Sequence, residues 1–178
     1  MFVLDNLICR SYYRLVSWRS PSMLSPMTGY ALTALAWLAS RGDGPSQVKE
    51  IAESTGVPQA YLGKIVHRLS KRDFVHTKRG VGGGVVLAVD PKQCTLLDVA
   101  KTLDDPLLTP KCMLGVEECS DERACPCHAF WKEHRQQEID FLARTTIADL
   151  CAFEARRGWV VQPTVRGTDH RKNSGDSR

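Results

Sequence analysis

Residues 46–89 read SQVKEIAESTGVPQAYLGKIVHRLSKRDFVHTKRGVGGGVVLAV, and this stretch decides the fold. Ser46 can cap a short helix, which the sequence Thr-Gly-Val-Pro at 55–58 then interrupts. Gly56 suits the left-handed position that follows a helix, and Pro58 suits the first turn of the next helix. Two helices joined by a tight glycine-containing turn are typical of a helix-turn-helix, although a plain helical hairpin would give the same pattern.

The second of these helices has an apolar side and a basic side. Leu62, Ile65, Val66 and Leu69 fall on one face, whereas Ala60, Lys64, His67 and Lys71 fall on the other, with Tyr61 and Arg68 on its flank. A basic outer face is typical of a helix that lies against DNA.

The residues after this helix predict a β-hairpin. Two short strands, Phe74 to Lys78 and Val85 to Val89, flank the turn Arg79-Gly80-Val81-Gly82-Gly83-Gly84. A hairpin in this place is a wing, and an arginine among glycines suits a narrow minor groove. A phosphate-binding loop is excluded because neither G-x-x-x-x-G-K-[ST] nor G-x-G-x-x-G is present, and a strand follows rather than a helix.

Length and composition fit an ordinary globular protein with one domain. The chain has 178 residues, of which 43% are hydrophobic and 25% charged. Its longest apolar stretch, 31–39, is far shorter than the ~20 residues of a membrane helix, and the N-terminus lacks the pattern of a secretory signal. We therefore expect a cytoplasmic protein with no membrane partner. In that compartment its seven cysteines favour metal ligation or redox chemistry over structural disulfides.

An acidic block that contains four cysteines follows the wing. Residues 95–127 hold three Lys or Arg against seven Asp or Glu, whereas 45–89 hold seven against three. Four cysteines and His128 fall within seventeen residues, and thiolates at this density repel one another unless a cation or cluster shares their charge. The spacing C-x6-C-x5-C-x2-H matches neither common zinc sites nor bacterial ferredoxins. From spacing alone, an iron–sulfur cluster, zinc, and redox thiols or a disulfide all remain open.

Capping patterns place the remaining helices. Thr28 can cap a first helix, whose apolar face holds Ala31, Ala34, Leu35 and Leu38. Thr95-x-x-Asp98 and Thr146-x-x-Asp149 each predict a helix start. Between them, residues 129–143 predict a long helix whose apolar content is too patchy for full burial, so we expect it to lie along a partner subunit. Helix-turn-helix proteins usually pair across palindromic sites, which makes a homodimer the expected assembly.

These elements define the predicted organisation. The fold class is mainly α with a small β-hairpin wing, that is, a winged helix-turn-helix plus a long dimerisation helix. Residues 1–22 are a doubtful N-terminal extension and 158–178 a disordered basic tail. The regulator domain spans 23–157, with the cysteine loop at 111–128 and the dimerisation helix at 129–143.

The predicted DNA contacts divide by groove. We expect Gln59, Tyr61 and Lys64 to enter the major groove, and Arg79 to reach the minor groove. The other basic residues of the module, Arg68, Lys71, Arg72 and Lys78, complete the DNA-binding set, and Lys71, Arg72 and Lys78 are expected to meet phosphates.

The ordered series of these motifs resembles the Rrf-two family of winged-helix transcriptional regulators. The resemblance covers roughly residues 25–152. It is carried by Thr28-Gly29-Tyr30-Ala31-Leu32, Ile51-Ala52, Gly56-Val57-Pro58, Tyr61-Leu62, Arg79 to Gly84, Thr95-Leu96-Leu97-Asp98-Val99, Cys112/Cys119/Cys125-Pro126 and Thr146-Ile147-Ala148-Asp149-Leu150.

The resemblance implies a homodimeric repressor that binds double-stranded promoter DNA. It further implies that iron–sulfur, redox or nitric-oxide status is sensed through a cluster on Cys112, Cys119 and Cys125. His128 matches the histidine ligand of the family's 2Fe–2S regulators. The nitric-oxide sensors use an aspartate where this chain has Gly29, so a 2Fe–2S cluster is favoured over 4Fe–4S. The first cysteine gap is six rather than five residues, and Cys127 adds a thiol, so Cys127 stays an alternative fourth ligand.

Two other interpretations belong to different functional classes. The chain could be a small electron-transfer protein in which the winged region is only a scaffold, or a winged-helix DNA binder with a structural zinc. An enzyme is the weakest interpretation, because no nucleophile–base pair or pocket for a small-molecule substrate is recognisable.

Overall fold

The helices and strands confirm a mainly α chain with one small hairpin. The structure is a computed structural model that describes residues 24–42, 44–114 and 118–157. Within these ranges the helices are α1 (Pro26–Arg41), α2 (Val48–Thr55), α3 (Gln59–Ser70), α4 (Leu96–Thr102), α5 (His128–Arg144) and α6 (Ile147–Arg157), and the strands are β1 (Val75–Lys78) and β2 (Gly84–Leu87). The predicted extension at 1–22 and tail at 158–178 lie outside the described residues.

Helix α1 is the centre of the core. It contacts α2, α3, α4, β2 and α6, and its Ala31, Leu35 and Ala36 are fully buried. Its cap is Ser25, whose hydroxyl accepts a hydrogen bond from the Thr28 backbone N–H, while Pro26 occupies the first turn.

The turn between the two helices of the helix-turn-helix, α2 and α3, lies where the sequence predicts it. Gly56 ends α2 in the left-handed conformation, with φ of 71°, and Pro58 immediately precedes α3. The apolar face of α3 is buried as predicted, through Leu62, Ile65, Val66 and Leu69.

Ser46 does not cap α2, which corrects the sequence prediction. Its backbone pairs with Val85 of the hairpin: Ser46 N–H donates to the Val85 carbonyl at 3.0 Å, and Val85 N–H donates to the Ser46 carbonyl at 2.8 Å. Gln47 precedes the helix instead, and its side-chain amide donates to the Gly83 carbonyl. Both residues therefore tie the helix-turn-helix to the hairpin.

Helices α4 and α6 begin with the same kind of capping box, and the two helix starts are hydrogen-bonded to each other. The hydroxyls of Thr95 and Thr146 accept from the backbone N–H of Asp98 and Asp149, as the sequence predicts. The two helix starts then pair with each other, because Ile147 N–H donates to the Cys94 carbonyl at 2.9 Å. This contact holds the start of α6, and with it the end of α5, against the start of α4.

The described helices include none that combines the length and the apolar character needed to cross a membrane. Helix α5 illustrates why. It is polar over most of its surface, and Leu142 is its one fully buried residue among those described.

Candidate nucleic-acid interface and metal centre

The outer face of α3 and the hairpin border two adjoining concavities, and Gln59 lines both. A shallow concavity on α3 is lined by Gln59, Lys64, His67 and the backbone of Gly63. A second concavity, between α3 and the hairpin, is lined by residues that include Gln59, Lys78 and Arg79. The structure therefore brings together four of the predicted DNA contacts: Gln59, Lys64, Lys78 and Arg79.

The other predicted contacts lie around this surface. Lys71 and Arg72 are exposed just after α3, in the turn that leads to the hairpin. Tyr61 is 36% exposed, and its ring meets that of Tyr30 edge to face, with centroids 5.6 Å apart. Tyr30 therefore fixes the orientation of the Tyr61 ring.

Arg68, which the sequence predicts to contact DNA, forms an ion pair within the chain. Its guanidinium donates to the Asp104 carboxylate at 2.6 Å and lies 3.3 Å from the sulfur of Met27. Asp104 adopts a left-handed backbone conformation, with φ of 53°, two residues after the end of α4. The ion pair thus holds Arg68 against α4 and competes with any contact to DNA.

Two further residues belong to this surface and were not predicted from the sequence. Gln47 holds the turn of the hairpin through Gly83, and Lys49 lines the concavity beside Arg79. Both belong to the basic block, but their role depends on how α2 packs against the hairpin.

The glycines of the hairpin turn have distinct structural roles. Gly80 and Gly82 have φ of 97° and 72°, which side chains rarely adopt. A Cβ on Gly83 would lie 2.2 Å from the carbonyl oxygen of Lys78, so only glycine fits there. The turn therefore holds Arg79 at the end of a narrow, closely packed hairpin.

The cysteine loop is closed at its base by backbone contacts. Cys119 N–H donates to the Pro110 carbonyl at 2.8 Å, and Lys111 forms a β-bridge with Glu118. The indole N–H of Trp131 on α5 donates to the Lys111 carbonyl at 2.8 Å. These bonds hold the two arms of the loop together at the start of α5.

Two of the predicted ligands already adjoin at this base. Cys119 Sγ lies 3.2 Å from His128 Nδ1, and the other ring nitrogen, Nε2, lies 2.9 Å from an oxygen of Asp121. A cavity of about 230 Å³ opens beside them. Cys112, Cys125 and Cys127 are half-buried and free of disulfides.

The donor chemistry of the loop fits a metal or an iron–sulfur cluster, although the full set is not assembled. Thiols and an imidazole are the ligands that iron–sulfur centres and zinc accept. In the described part of the chain, no three His, Cys, Asp or Glu side chains are arranged to hold a metal ion.

Cys94 is separate from this site. It is 6% exposed in the core, and burial, together with the charge of Asp98, raises the pKa of its thiol to about 11. A thiol that stays protonated is a poor metal ligand, which agrees with a structural role.

Comparisons with known proteins agree with the fold. Residues 24–152 match the Rrf2 family, described as an iron-dependent transcriptional regulator. An HTH-type transcriptional regulator of Aquifex aeolicus is 37% identical over 141 residues, which cover 78% of this chain and 98% of that protein. The HTH-type transcriptional regulator IscR of Sodalis glossinidius is 32% identical over 126 residues, with coverage of 70% and 76%.

Solved structures share the architecture. CymR, described as the global cysteine regulator of B. subtilis, has a TM-score of 0.59 and 30% identity over 72% of this chain and 95% of its own. T. potens IscR has a TM-score of 0.61 with 24% identity, over 82% and 96%. These likenesses confirm the winged helix-turn-helix fold, and the family consists of DNA-binding regulators rather than enzymes. The chain belongs to the Rrf2 family of transcriptional regulators.

Proposed function

We propose that this Rrf2 regulator is a homodimeric repressor whose affinity for promoter DNA is set by a 2Fe–2S cluster on Cys112, Cys119, Cys125 and His128. The observation that carries the proposal is the meeting of Cys119 Sγ and His128 Nδ1 at 3.2 Å, at the start of α5. Ligands that share one metal centre must adjoin, so Cys119 and His128 would hold such a group together at this place. When bound, such a cluster supplies a centre that responds to oxidants and nitric oxide.

The DNA contacts follow from the surface of α3 and the hairpin. We assign Gln59, Tyr61 and Lys64 to base edges in the major groove, and Arg79 to the minor groove. Lys71, Arg72 and Lys78 would meet phosphates and fix the register. Arg68 lies one turn beyond Lys64 on the same side of α3 and would exchange its surface ion pair with Asp104 for a contact to DNA.

The dimer contact follows from exposed aromatic side chains on α5. Phe130 and Phe141 are 64% and 54% exposed, and their spacing of eleven residues places them on one face of the helix. Apolar side chains repeated along one face of a long helix favour pairing with a second helix. Two copies joined there would present two α3 helices to a palindromic site.

Regulation would act through the cysteine loop, because this loop connects the winged helix-turn-helix and α4 to the proposed dimer helix α5. Its first arm follows α4, which packs on the winged module, and its second arm leads directly into α5. A loop that becomes ordered on ligation can therefore change the spacing of the two DNA-reading helices.

Visible absorbance of anaerobically purified protein tests the cluster directly. A coloured protein with iron and acid-labile sulfide in equal amounts supports the proposal. A colourless protein that carries one zinc per chain would contradict it and favour the structural-zinc alternative.

Arg79→Ala is expected to weaken DNA binding and to reduce any preference for A/T-rich flanks, since a narrow minor groove attracts the guanidinium. The matched variant Lys71→Ala is expected to weaken binding to all sequences alike and to lower the slope of log affinity against log salt by about one unit. Binding titrations at several salt concentrations separate the two effects. Parental binding by both variants would contradict the proposed interface.

Gly63→Ala is expected to stabilise the fold and yet weaken DNA binding. Gly63 lies inside α3, where glycine costs about 0.5–1 kcal/mol relative to alanine, and its added Cβ would meet no protein atom within 4 Å. The methyl group would instead project toward DNA and cost at least about 1 kcal/mol of binding, or fivefold in affinity.

Gly29→Ala is the control for this variant, because Gly29 is equally unobstructed but lies in α1. Thermal unfolding and DNA titration of both variants give the two readouts. Unchanged DNA affinity in Gly63→Ala would place the DNA on another face of α3.

A further inference from the structure

Both ring nitrogens of His128 are engaged, and the two partners differ in kind. Nδ1 lies 3.2 Å from Cys119 Sγ, and Nε2 lies 2.9 Å from Asp121 Oδ1. An ionised carboxylate only accepts hydrogen bonds, so in the neutral imidazole Nε2 carries the proton and donates it to Asp121. Nδ1 is then left with its lone pair directed at Cys119.

Asp121 is itself held from α5. Lys132 Nζ donates to both carboxylate oxygens of Asp121, at 2.7 and 2.8 Å. Lys132 follows His128 by one helical turn, so the two side chains lie on the same face of α5. Asp121 begins the short 3₁₀ helix Asp121–Arg123, which follows Cys119 in the loop.

Of the two candidate fourth ligands, His128 and Cys127, His128 is the one whose side chain lines the cavity beside Cys119. The side chain of His128 is 11% exposed, and it lines the cavity of about 230 Å³ together with Cys119, Asp121 and Lys132. Cys119 is the cysteine that lines this cavity among the described residues. Cys127 contributes its backbone carbonyl to α5, where it accepts from Trp131 N–H at 2.9 Å.

We infer that Asp121, anchored by Lys132, is a positioning residue that presents Nδ1 of His128 as the fourth ligand beside Cys119, in preference to Cys127. The inference rests on the proposed cluster and deepens it. Metal-bound histidines usually donate their other ring N–H to a carboxylate, which fixes the tautomer and raises the basicity of the ligand nitrogen. Here the carboxylate, the imidazole and the lysine that anchors the carboxylate all belong to the loop and α5.

The first test uses the full-length protein after removal of metal. Two-bond ¹H–¹⁵N correlation spectra of the histidine side chains report which ring nitrogen carries the proton. We expect His128 of the parent to be protonated at Nε2, and expect a mixture of tautomers in Asp121→Ala. Glu122→Gln is the matched control, because it alters the neighbouring carboxylate of the same 3₁₀ helix. His134, which pairs with Glu138 at 3.1 Å, is an internal reference.

The second test uses the anaerobically purified, loaded protein. Pulsed EPR of the reduced protein should detect nitrogen coupling in the parent and in Cys127→Ala, and not in His128→Ala. Loss of a carboxylate that holds a metal-bound histidine typically lowers metal affinity by about 10–100-fold, so Asp121→Ala should lose its iron to a chelator at correspondingly lower chelator concentration. Asp121→Asn, whose amide oxygen can still accept from Nε2, should recover part of the loss.

The outcomes separate the inference from the function on which it rests. A parent protein without iron and sulfide would overturn both. A loaded parent with unchanged tautomer and unchanged iron retention in Asp121→Ala would overturn only the inference. Nitrogen coupling that is absent from the parent, with a spectrum altered by Cys127→Ala alone, would assign the fourth position to Cys127.

Discussion

Cys119→Ala is expected to abolish the cluster and to change operator affinity by about 5–150-fold, the usual range for two coupled sites. The loss is complete because one of three thiolate ligands disappears from the arm that also positions His128. The winged module should stay folded, since Cys119 is half-buried in the loop and outside the hydrophobic core. Cys112→Ala and Cys125→Ala should behave in the same way.

The measurement compares loaded parent, metal-free parent and Cys119→Ala on one palindromic operator at fixed salt. Cys151→Ala is the control, because it removes a free thiol of α6 far along the chain from the loop. Linkage also requires the reverse effect, so operator DNA should alter the retention of the cluster by the same factor. Equal DNA affinity in all three samples would mean that the cluster does not regulate binding, and the electron-transfer alternative would gain support.

Asp105→Ala is expected to lower the free energy of unfolding by about 3 kcal/mol, because hydrogen bonds to a charged group contribute about 1.5–3 kcal/mol each. Asp105 is 2% exposed and caps two helix starts. Its carboxylate accepts from the backbone N–H of Ser25 at 2.9 Å and of Leu107 at 2.9 Å. Removal of the carboxylate leaves both donors without their partner at the start of α1 and of the 3₁₀ helix Pro106–Leu108.

The neighbouring Asp104→Asn is the control for this variant. Asp104 pairs with Arg68 at the surface, where such a pair contributes at most about 1 kcal/mol, and asparagine tolerates the left-handed backbone of that position. Denaturant titration should therefore show a larger loss of unfolding free energy for the substitution of the buried Asp105 than for that of the exposed Asp104. Equal destabilisation by both substitutions would contradict the role of Asp105 as a buried cap.

Acid should remove the contribution of Asp105. Burial by itself would raise its pKa, but hydrogen bonds from the Thr28 hydroxyl and from the N–H groups of Leu107 and Ser25 lower the pKa overall. A carboxylate whose pKa is lowered in the folded state stabilises fully above its unfolded pKa of about 3.9, and this stabilisation is lost as pH falls through the folded value. The difference in stability between the parent and Asp105→Ala should thus be constant near neutral pH and narrow below about pH 4.

Long-range pairing explains where the sequence predictions of helix starts were wrong. Thr28 was expected to cap α1, yet the helix begins at Pro26, and Thr28 is fully buried. The start lies further upstream because Ser25 is fixed by Asp105, which is 80 positions away in the chain. Ser46 was likewise expected to cap α2, but its backbone is used by Val85 of the hairpin.

The sequence by itself determined the elements of this protein whose causes are local. Apolar spacing predicts α3, Gly56 and Pro58 predict the turn before it, and the capping boxes at Thr95 and Thr146 predict α4 and α6. Each of these signals acts between residues a few positions apart, so it can be recognised from the sequence alone.

Only the tertiary structure decided which distant side chains meet. It pairs Arg68 with Asp104, ties Ser46 to the hairpin, and places Cys119, His128 and Asp121 together at the start of α5. Spacing identified the cysteines and the histidine as candidate ligands, but it left the fourth ligand open between His128 and Cys127. That choice depends on which side chain faces the cavity beside Cys119, and this orientation arises from the packing of the loop against α5.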